Sequence, residues 1–362
     1  MTMQTTNKQI RIAAIGDLLL TAKPGSDEPQ RGLEALSAEI GDIFASADIV
    51  LANLECTLKA QELIATEPRV FTTNKQLESL ATAGINLVTM ANNHAFDSFD
   101  AGFDKTIDTL DKTGIRAFGA GKNSQQACAP AIFTINGISI AFVAAVDRST
   151  GMHSFAAENK SGVPALESAT ICATIKELKT QYDHVIFTPH WGEERFRFPS
   201  PQQIDQAHAF IDAGASLVLG HHPHVIQGTE QYGAGFIAYS LGNFLTNNVY
   251  WENGDVLTWN KFERSSEIIL IDLKADEIVE IQQIPIYDNG THINIEKSGH
   301  GKHYLKKADL YISKGITAAK YRRESYLAKS LLPITKQLRW DKLRRIKPGH
   351  FTKALKLLLQ QK

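Results

Sequence analysis

An α/β fold followed by a basic helical extension is the architecture this sequence predicts. Three observations carry that reading. From residue 10 to about residue 286, short runs rich in Val, Ile and Ala alternate with segments of helical spacing. Several of those runs are apolar on both faces, as in strands covered by helices or by a second sheet. The charge then changes sign along the chain. Residues 301–362 hold 17 Lys+Arg against 3 Asp+Glu, a balance of +14, while the preceding 300 residues hold 21 against 36, a balance of −15.

Taken in order, strands are expected at 10–15, 49–52, 86–90, 138–145, 184–188, 216–219 and 236–239. Helices are expected at 34–44, 75–83, 100–113, 168–181 and 201–213. Gly84, Gly114 and Gly214 follow three of these helices, as glycines at helix ends often do. Runs 268–273 and 280–286 read as a closing pair of strands, and 288–301 as a polar linker. The expected division is therefore a body over 1–290 and an extension over 291–362. In the extension Leu327, Leu331 and Leu332, and later Phe351, Leu355 and Leu358, recur at helical spacing among Lys and Arg. Such helices either pack on the acidic body or lie on an anionic membrane surface or an acidic partner.

Composition excludes several classes. Hydrophobic residues make up 43% and charged residues 21%, enough for a sizeable core and too apolar for wholesale disorder. Cys56, Cys128 and Cys172 are odd in number, scattered and without a CxxC pair, so neither a zinc knot nor a disulfide framework is expected. Each reads as a small buried apolar residue of a reducing compartment, with Cys56 notable for following Glu55. No run approaches the ~20 apolar residues of a membrane span, and the first apolar run is broken by Arg11 and Asp17. A cytoplasmic location is expected, with peripheral attachment at the inner membrane face through the tail as its variant. P-loop, dinucleotide-binding and GxSxG motifs are absent, which argues against kinase, dehydrogenase and serine-hydrolase chemistry.

The polar residues that stand out share one address, the carboxyl ends of strands, where open α/β sheets bind ligands. Asp17 follows the first strand, Asn53 and Glu55 the second, Asn92, Asn93 and His94 the third. His190 follows 184–188, and His221, His222 and His224 follow 216–219. Five of the 12 histidines fall in these turns. Any one of them alone is more often a hydrogen-bonded turn residue. Together, imidazole, carboxylate and amide oxygen make a ligand set for Zn, Mn or Fe.

The segments GDLLL (16–20), ANLECTL (52–58), ANNHAFD (91–97), HWGEE (190–194), GHHPHVIQ (220–227) and YSLGNF (239–244) resemble, in order, the capsule-synthesis CapA family. That poly-γ-glutamate capsule family is similar to the calcineurin-like metallophosphoesterases. The resemblance implies a four-layer α/β/β/α metallophosphoesterase-like sandwich with one or two divalent ions, Mn, Fe or Zn. It makes Asp17, Glu55, Asn93, His190, His222 and His224 the metal ligands and His94 the general acid or oxyanion contact. Asp97 and Asn53 would orient His94 and Glu55. Around this centre Asn53, Asn92, Trp191, Glu193, Arg195, His221 and Asn243 are candidates for substrate contact. Their plainer roles are packing for Trp191, a solvated charged loop for Glu193, Glu194, Arg195 and Arg197, and a tight turn for Ser240, Gly242 and Asn243.

One departure stands out. The wider superfamily begins with Asp-x-His, and here the third position is Leu19. A one-ion and a two-ion site therefore both remain open. The implied function is phosphoester-type hydrolysis in the biosynthesis of a capsule or extracellular polymer, poly-γ-glutamate or polysaccharide. Cleavage or transfer of a γ-glutamyl amide is a chemical variant. The competing reading is a non-catalytic capsule-assembly protein that binds polymer or partner proteins on the same fold. The expected partners are an anionic polymer or phosphoester, with no nucleic acid.

Overall fold

The structure, a computed structural model, describes residues 8–23 and 25–328. Two mixed sheets and their flanking helices organise the first compact unit, which extends to Gly315.

The first sheet is built on β1 (Ile10–Leu19), β2 (Ile49–Leu54), β3 (Leu87–Thr89) and β4 (Arg116–Phe118), which run parallel. The second contains β5 (Ala131–Ile135), β6 (Ile138–Val146), β7 (His184–His190), β8 (Leu217–Leu219), β9 (Thr229–Tyr232) and β10 (Gly235–Ala238). Its order is β9-β10-β8-β7-β6-β5, parallel from β6 through β7 and β8 to β10 and antiparallel at both edges. The chain then returns to the first sheet. β11 (Asn243–Thr246) pairs parallel with the end of β1, and β12 (Ser265–Leu273) lies antiparallel along its start. β13 (Ile278–Asp288) and β14 (Ile293–Ile295) complete that edge.

The strands are apolar on both faces because both faces are covered. Ile12, Leu51 and Val88 of one sheet and Ile140, Phe142, Ile186 and Leu217 of the other belong to one buried core. Helices α1 (Ala38–Ala45), α2 (Asn74–Thr82), α3 (Phe99–Lys112), α4 (Ser168–Lys179) and α5 (Pro201–Asp212) connect the strands. Their starts are chemically marked. Ser200 and Gln203 form a reciprocal capping box ahead of Pro201, and Thr73 caps α2 through the Gln76 amide.

The expected helix over 34–44 is split. Leu33–Ala35 is a short 3-10 turn, Leu36 is extended, and Ser37 precedes α1. Strands β4, β5, β9 and β11 add to the expected set; at three to five residues each, they are too short for periodicity to announce. The segment read as a linker, 288–301, contains β14, whose Ile293 is fully buried.

The boundary expected near residue 290 also moves. Helix α6 (His300–Ser313) belongs to the first unit and buries Leu305, Ala308, Tyr311 and Ile312. Its docking is close, since a Cβ on Gly228 would meet Ile312 at 2.5 Å. The start of the basic extension therefore packs on the body through an apolar stripe. The second unit begins at Ile316 and contains helix α7 (Ala318–Tyr326), with Leu327 at its C-cap. Leu331, Leu332, Phe351, Leu355 and Leu358 lie outside the described residues. Among the described residues no helix is long and apolar enough to cross a membrane.

Candidate metal centre

Two close backbone contacts shape the floor of the site. A Cβ on Gly16 would sit 1.9 Å from the Gly242 carbonyl oxygen, and one on Gly220 would sit 2.1 Å from that of Tyr239. These side-chain-free positions let the turn after β10 press against β1 and the turn after β8 press against the end of β10. Asp17 donates its backbone N–H to Gly242 O at 2.8 Å, at a point where the β1 register shifts. The shift aims the Asp17 carboxylate into the interior, within the strand rather than beyond it.

Asp17 is fully buried. Its Oδ1 accepts from Asn53 Nδ2 at 2.8 Å and lies 3.2 Å from His221 Nδ1, and its Oδ2 lies 3.3 Å from His224 Nδ1. Burial alone would push its carboxyl upward, but the imidazoles of His221 and His224 outweigh it and hold the group well below the usual carboxylate range. Glu55 is equally buried, and neither of its oxygens has a hydrogen-bond partner. His190 Nε2 and His224 Nε2 each stand 3.7 Å from its Oε1. Burial, with the nearby Asp17 charge, raises Glu55 to about 8.

The imidazoles surround these acids. His190 Nε2 lies 2.7 Å from Asn93 Oδ1, and the His190 and His222 rings are 4.7 Å apart. His222 and His224 flank Pro223 with φ of 97° and 56°, a left-handed backbone costing about 1–3 kcal/mol at each non-glycine residue. That conformation turns both rings toward the carboxylates. Burial and the neighbouring His224 lower His222 to about 4, whereas the Glu55 and Asp17 charges overcome burial to raise His224 to about 10.

Three sets of ligand atoms lie within 4.8 Å of one another: Glu55–His190–His222, Asp17–Glu55–His224 and Glu194–His222–His224. All six residues expected as ligands are thus in one cluster, Asn93 through its contact with His190. The sharing of Glu55 by two sets suits an acid between two cation positions. Glu55 Oε1 and Oε2, His190 Nδ1 and His222 Nδ1 are buried without hydrogen-bond partners, a donor set that fits a divalent cation. Glu194, which the sequence offered only as rim charge, joins the cluster; its place four residues after His190 in HWGEE was the available signal.

His94 stands apart from the ligand sets. Its Nδ1 lies 2.8 Å from Asp97 Oδ2, which also accepts the Val70 N–H at 2.7 Å. Burial lowers the His94 pKa, but the Asp97 carboxylate more than restores it, and the net shift is upward. His94, Asp97, Asn93, Glu194, Arg195 and His224 face a cavity of about 490 Å³, where Leu19 also lies.

Five residues expected at substrate are instead enclosed. Asn92 donates to Asn53 Oδ1 at 3.0 Å and to Leu54 O at 2.8 Å, so Asn92, Asn53 and Asp17 form one buried relay of hydrogen bonds. His221 is buried against Asp17. Trp191 is fully buried, donating its indole N–H to Tyr239 O at 3.0 Å while stacking on Phe210 and Tyr239. Asn243 is buried too, and holds His224 Nδ1 at 2.9 Å while donating to Glu263 O. Of the charged loop, Arg195 reaches the cavity, braced by Glu263 at 2.8 Å, whereas Glu193 is not among the residues lining it. Cys56 is fully buried with its thiol pushed up to about 12 by burial, and it belongs to none of the three ligand sets.

The profile of the bacterial capsule synthesis protein family PGA_cap matches residues 11–248, a span containing every residue of this cluster. The chain belongs to that family. A relative described as a PGA biosynthesis protein CapA, from Bacillus subtilis, is 30% identical over 235 residues, covering 64% of this chain and 62% of its own. The chain thus spans less than two thirds of that relative. The capsule biosynthesis protein CapA of Bacillus anthracis is 24% identical over 289 residues, 77% of this chain and 70% of its own. Among solved structures, the NAD nucleotidase of Haemophilus influenzae superposes at a TM-score of 0.45 with 13% identity, over 89% of this chain and 61% of that one.

Proposed function

We propose that this chain is a metal-dependent hydrolase of phosphoester type that serves the biosynthesis of a capsule or extracellular polymer. The observation that carries the proposal is the buried cluster of Asp17, Glu55, His190, His222 and His224, whose unpartnered carboxylate and imidazole atoms converge beside a solvent-connected cavity. Buried carboxylates without partners are costly, and a cation is the economical way to satisfy several at once. The polymer comes from the family and from the relatives' descriptions as capsule proteins.

In this reading Asp17, Glu55, Asn93, His190, His222 and His224, with Glu194 as an added acid, hold one or two divalent ions. When bound, such an ion lowers the pKa of a water from 15.7 to about 7 and draws electron density from a phosphoryl or carbonyl oxygen. The protein's own residues do the rest. Asp97 fixes the His94 ring through Nδ1 and sustains its protonated form, so His94 can deliver a proton to a leaving oxygen in the cavity. Arg195, held by Glu263, places a positive charge at the mouth. The Asn92–Asn53–Asp17 relay keeps Asp17 oriented, and Asn243 does the same for His224.

A non-catalytic assembly role is favoured by one feature, Leu19, which lines the cavity where the metallophosphoesterase pattern implies a histidine. Metal content of protein purified without chelator, together with hydrolysis of p-nitrophenyl phosphate before and after EDTA, separates the two readings. Stoichiometric Mn, Fe or Zn with chelator-sensitive turnover is expected. Absence of bound metal and of turnover leaves the assembly reading in place.

A further inference from the structure

The metal centre draws on two segments that lie outside regular helices and strands, 191–199 after β7 and 220–228 after β8. The first carries Glu194 and Arg195, the second His222 and His224. They are tied to each other directly. Arg195 donates its backbone N–H to Pro223 O at 2.8 Å, and Gln227 donates its side-chain amide to Phe196 O at 2.9 Å. Arg195 has φ of 59°, a left-handed conformation that a non-glycine residue keeps only where its surroundings enforce it. Glu194, Arg195 and Arg197 are exposed, whereas Phe196 and Phe198 between and beyond them are buried.

Helix α6 closes on the far ends of both segments. Ala308, Tyr311 and Ile312 stand three and four residues apart and so share one face of it. The Tyr311 ring stacks on Phe198, with centroids 3.8 Å apart and 20° between the planes. Ala308 and Ile312 press on Gly228, where a Cβ would meet Ile312 Cδ1 at 2.5 Å and the Ala308 carbonyl carbon at 2.8 Å. Asp309 accepts the Thr229 backbone N–H at 2.7 Å. A single turn of α6 thus grips Phe198, four residues beyond Glu194, and Gly228, four residues beyond His224.

We infer that α6 is a strap across the two ligand-bearing segments and that Tyr311 is a positioning residue of the metal centre. Through Phe198 it holds the 191–199 loop in the strained form that keeps Glu194 beside His222 and His224. The ligand atoms of those three residues lie within 4.8 Å of one another, while the loop that carries the exposed Glu194 is anchored by its buried phenylalanines. With the Tyr311 ring removed, the left-handed Arg195 relaxes and the carboxylate two turns of loop away from the helix leaves the set. The inference rests on the proposed function only in taking the cluster to hold a cation.

The test uses the full chain, Mn²⁺ titration calorimetry and amide hydrogen exchange of peptides spanning 192–200. Tyr311→Ala should weaken Mn²⁺ about tenfold, as loss of an orienting partner does, and Tyr311→Phe, which keeps the ring, should hold wild-type affinity. Glu194→Gln should weaken Mn²⁺ to a similar degree, and adding Tyr311→Ala to it should cost nothing more, because both act through one carboxylate. Exchange over 192–200 should be about tenfold faster in Tyr311→Ala and unchanged in Tyr311→Phe. If Tyr311→Ala does not fold, Phe198→Leu removes the stack from the other side and should give the same signature. Wild-type exchange in the folded alanine variant overturns the strap. Faster exchange with wild-type Mn²⁺ affinity, or losses that add in the double variant, overturns the link to Glu194. A failure of the metal-dependent reading looks different: the wild-type chain then binds no Mn²⁺, and exchange over 192–200 still decides whether Tyr311 holds the loop.

Discussion

His94 and His222 are both buried imidazoles at one site, yet their surroundings assign them opposite work. Burial, with the neighbouring His224, keeps His222 neutral, and its Nδ1 lacks a partner, so it is available as a ligand. His94 is tied to Asp97 and holds a proton more readily. His94→Ala is therefore expected to retain bound metal and lose about 10²–10⁴-fold in kcat for a phosphoester. His222→Ala should lose metal itself, with affinity down by tenfold or more. Metal analysis of the two variants side by side checks this, and equal metal loss would reverse the assignment. Sequence placed these residues in one cluster by their strand-end positions. It could not show that Asn53, Asn92, His221 and Asn243 face inward as supports, because an Asn or His after a strand looks the same whether it meets substrate or a buried carboxylate.

At the scale of elements, the site depends on how closely β1 approaches the turn at Gly242. Gly16→Ala would drive a Cβ into the Gly242 carbonyl, a backbone atom with no freedom to retreat. A loss of about 1–3 kcal/mol in stability is expected, together with weakened metal binding through the displaced Asp17. Thermal unfolding and metal titration of the variant measure both, and a wild-type Tm with full metal would refute the role given to this contact. A second element-scale effect arises in β12. Glu267 is fully buried, with Gln283 at 3.3 Å and its other oxygen unpartnered, and burial raises its carboxyl from 4.5 to about 8. In the unfolded chain the group ionises near 4.5, so folding holds a proton that the unfolded state releases. Stability on this account is complete below pH 4.5, declines as pH rises toward 8, and is level above it. Glu267→Gln should flatten that decline and raise the Tm by a few degrees at pH 8.5, with little change at pH 4. Melting curves from pH 4 to 9 test it, and parallel profiles for the two proteins would contradict it.

For the whole molecule, the reversal of charge along the chain separates two roles. Helix α6 carries the first part of the basic extension, and its buried Leu305, Ala308, Tyr311 and Ile312 tie it to the body. Residues 316–362 still hold 13 Lys+Arg against 2 Asp+Glu. Near an anionic bilayer each such cation is worth roughly 1 kcal/mol. The full chain should therefore co-sediment with phosphatidylserine-containing vesicles in a salt-sensitive way, and a chain ending at Gly315 should remain in the supernatant with an unchanged Tm. Binding that survives the truncation, or ignores salt, would refute attachment through this segment. A cut near Gly301 would remove α6 and expose Gly228, which is why the truncation belongs after Gly315.

The sequence by itself determined the alternation of strands and helices, the strand-end address of the ligands and the family motifs. Each of these is written in local periodicity or spacing, as in the apolar run 49–52 leading to Asn53 and Glu55, or the HxH of His222 and His224. Tertiary structure decided what depends on residues far apart in the chain. It joined Glu194 to His222 and His224, set Asn243 behind His224, enclosed Trp191, and moved the body's boundary past α6. It also set Lys23, Lys59, Arg69 and Trp251 around one cavity. The reason is geometric: periodicity reports which face of an element is buried, whereas the identity of what lies against that face is fixed only when the two sheets and their turns close on one another.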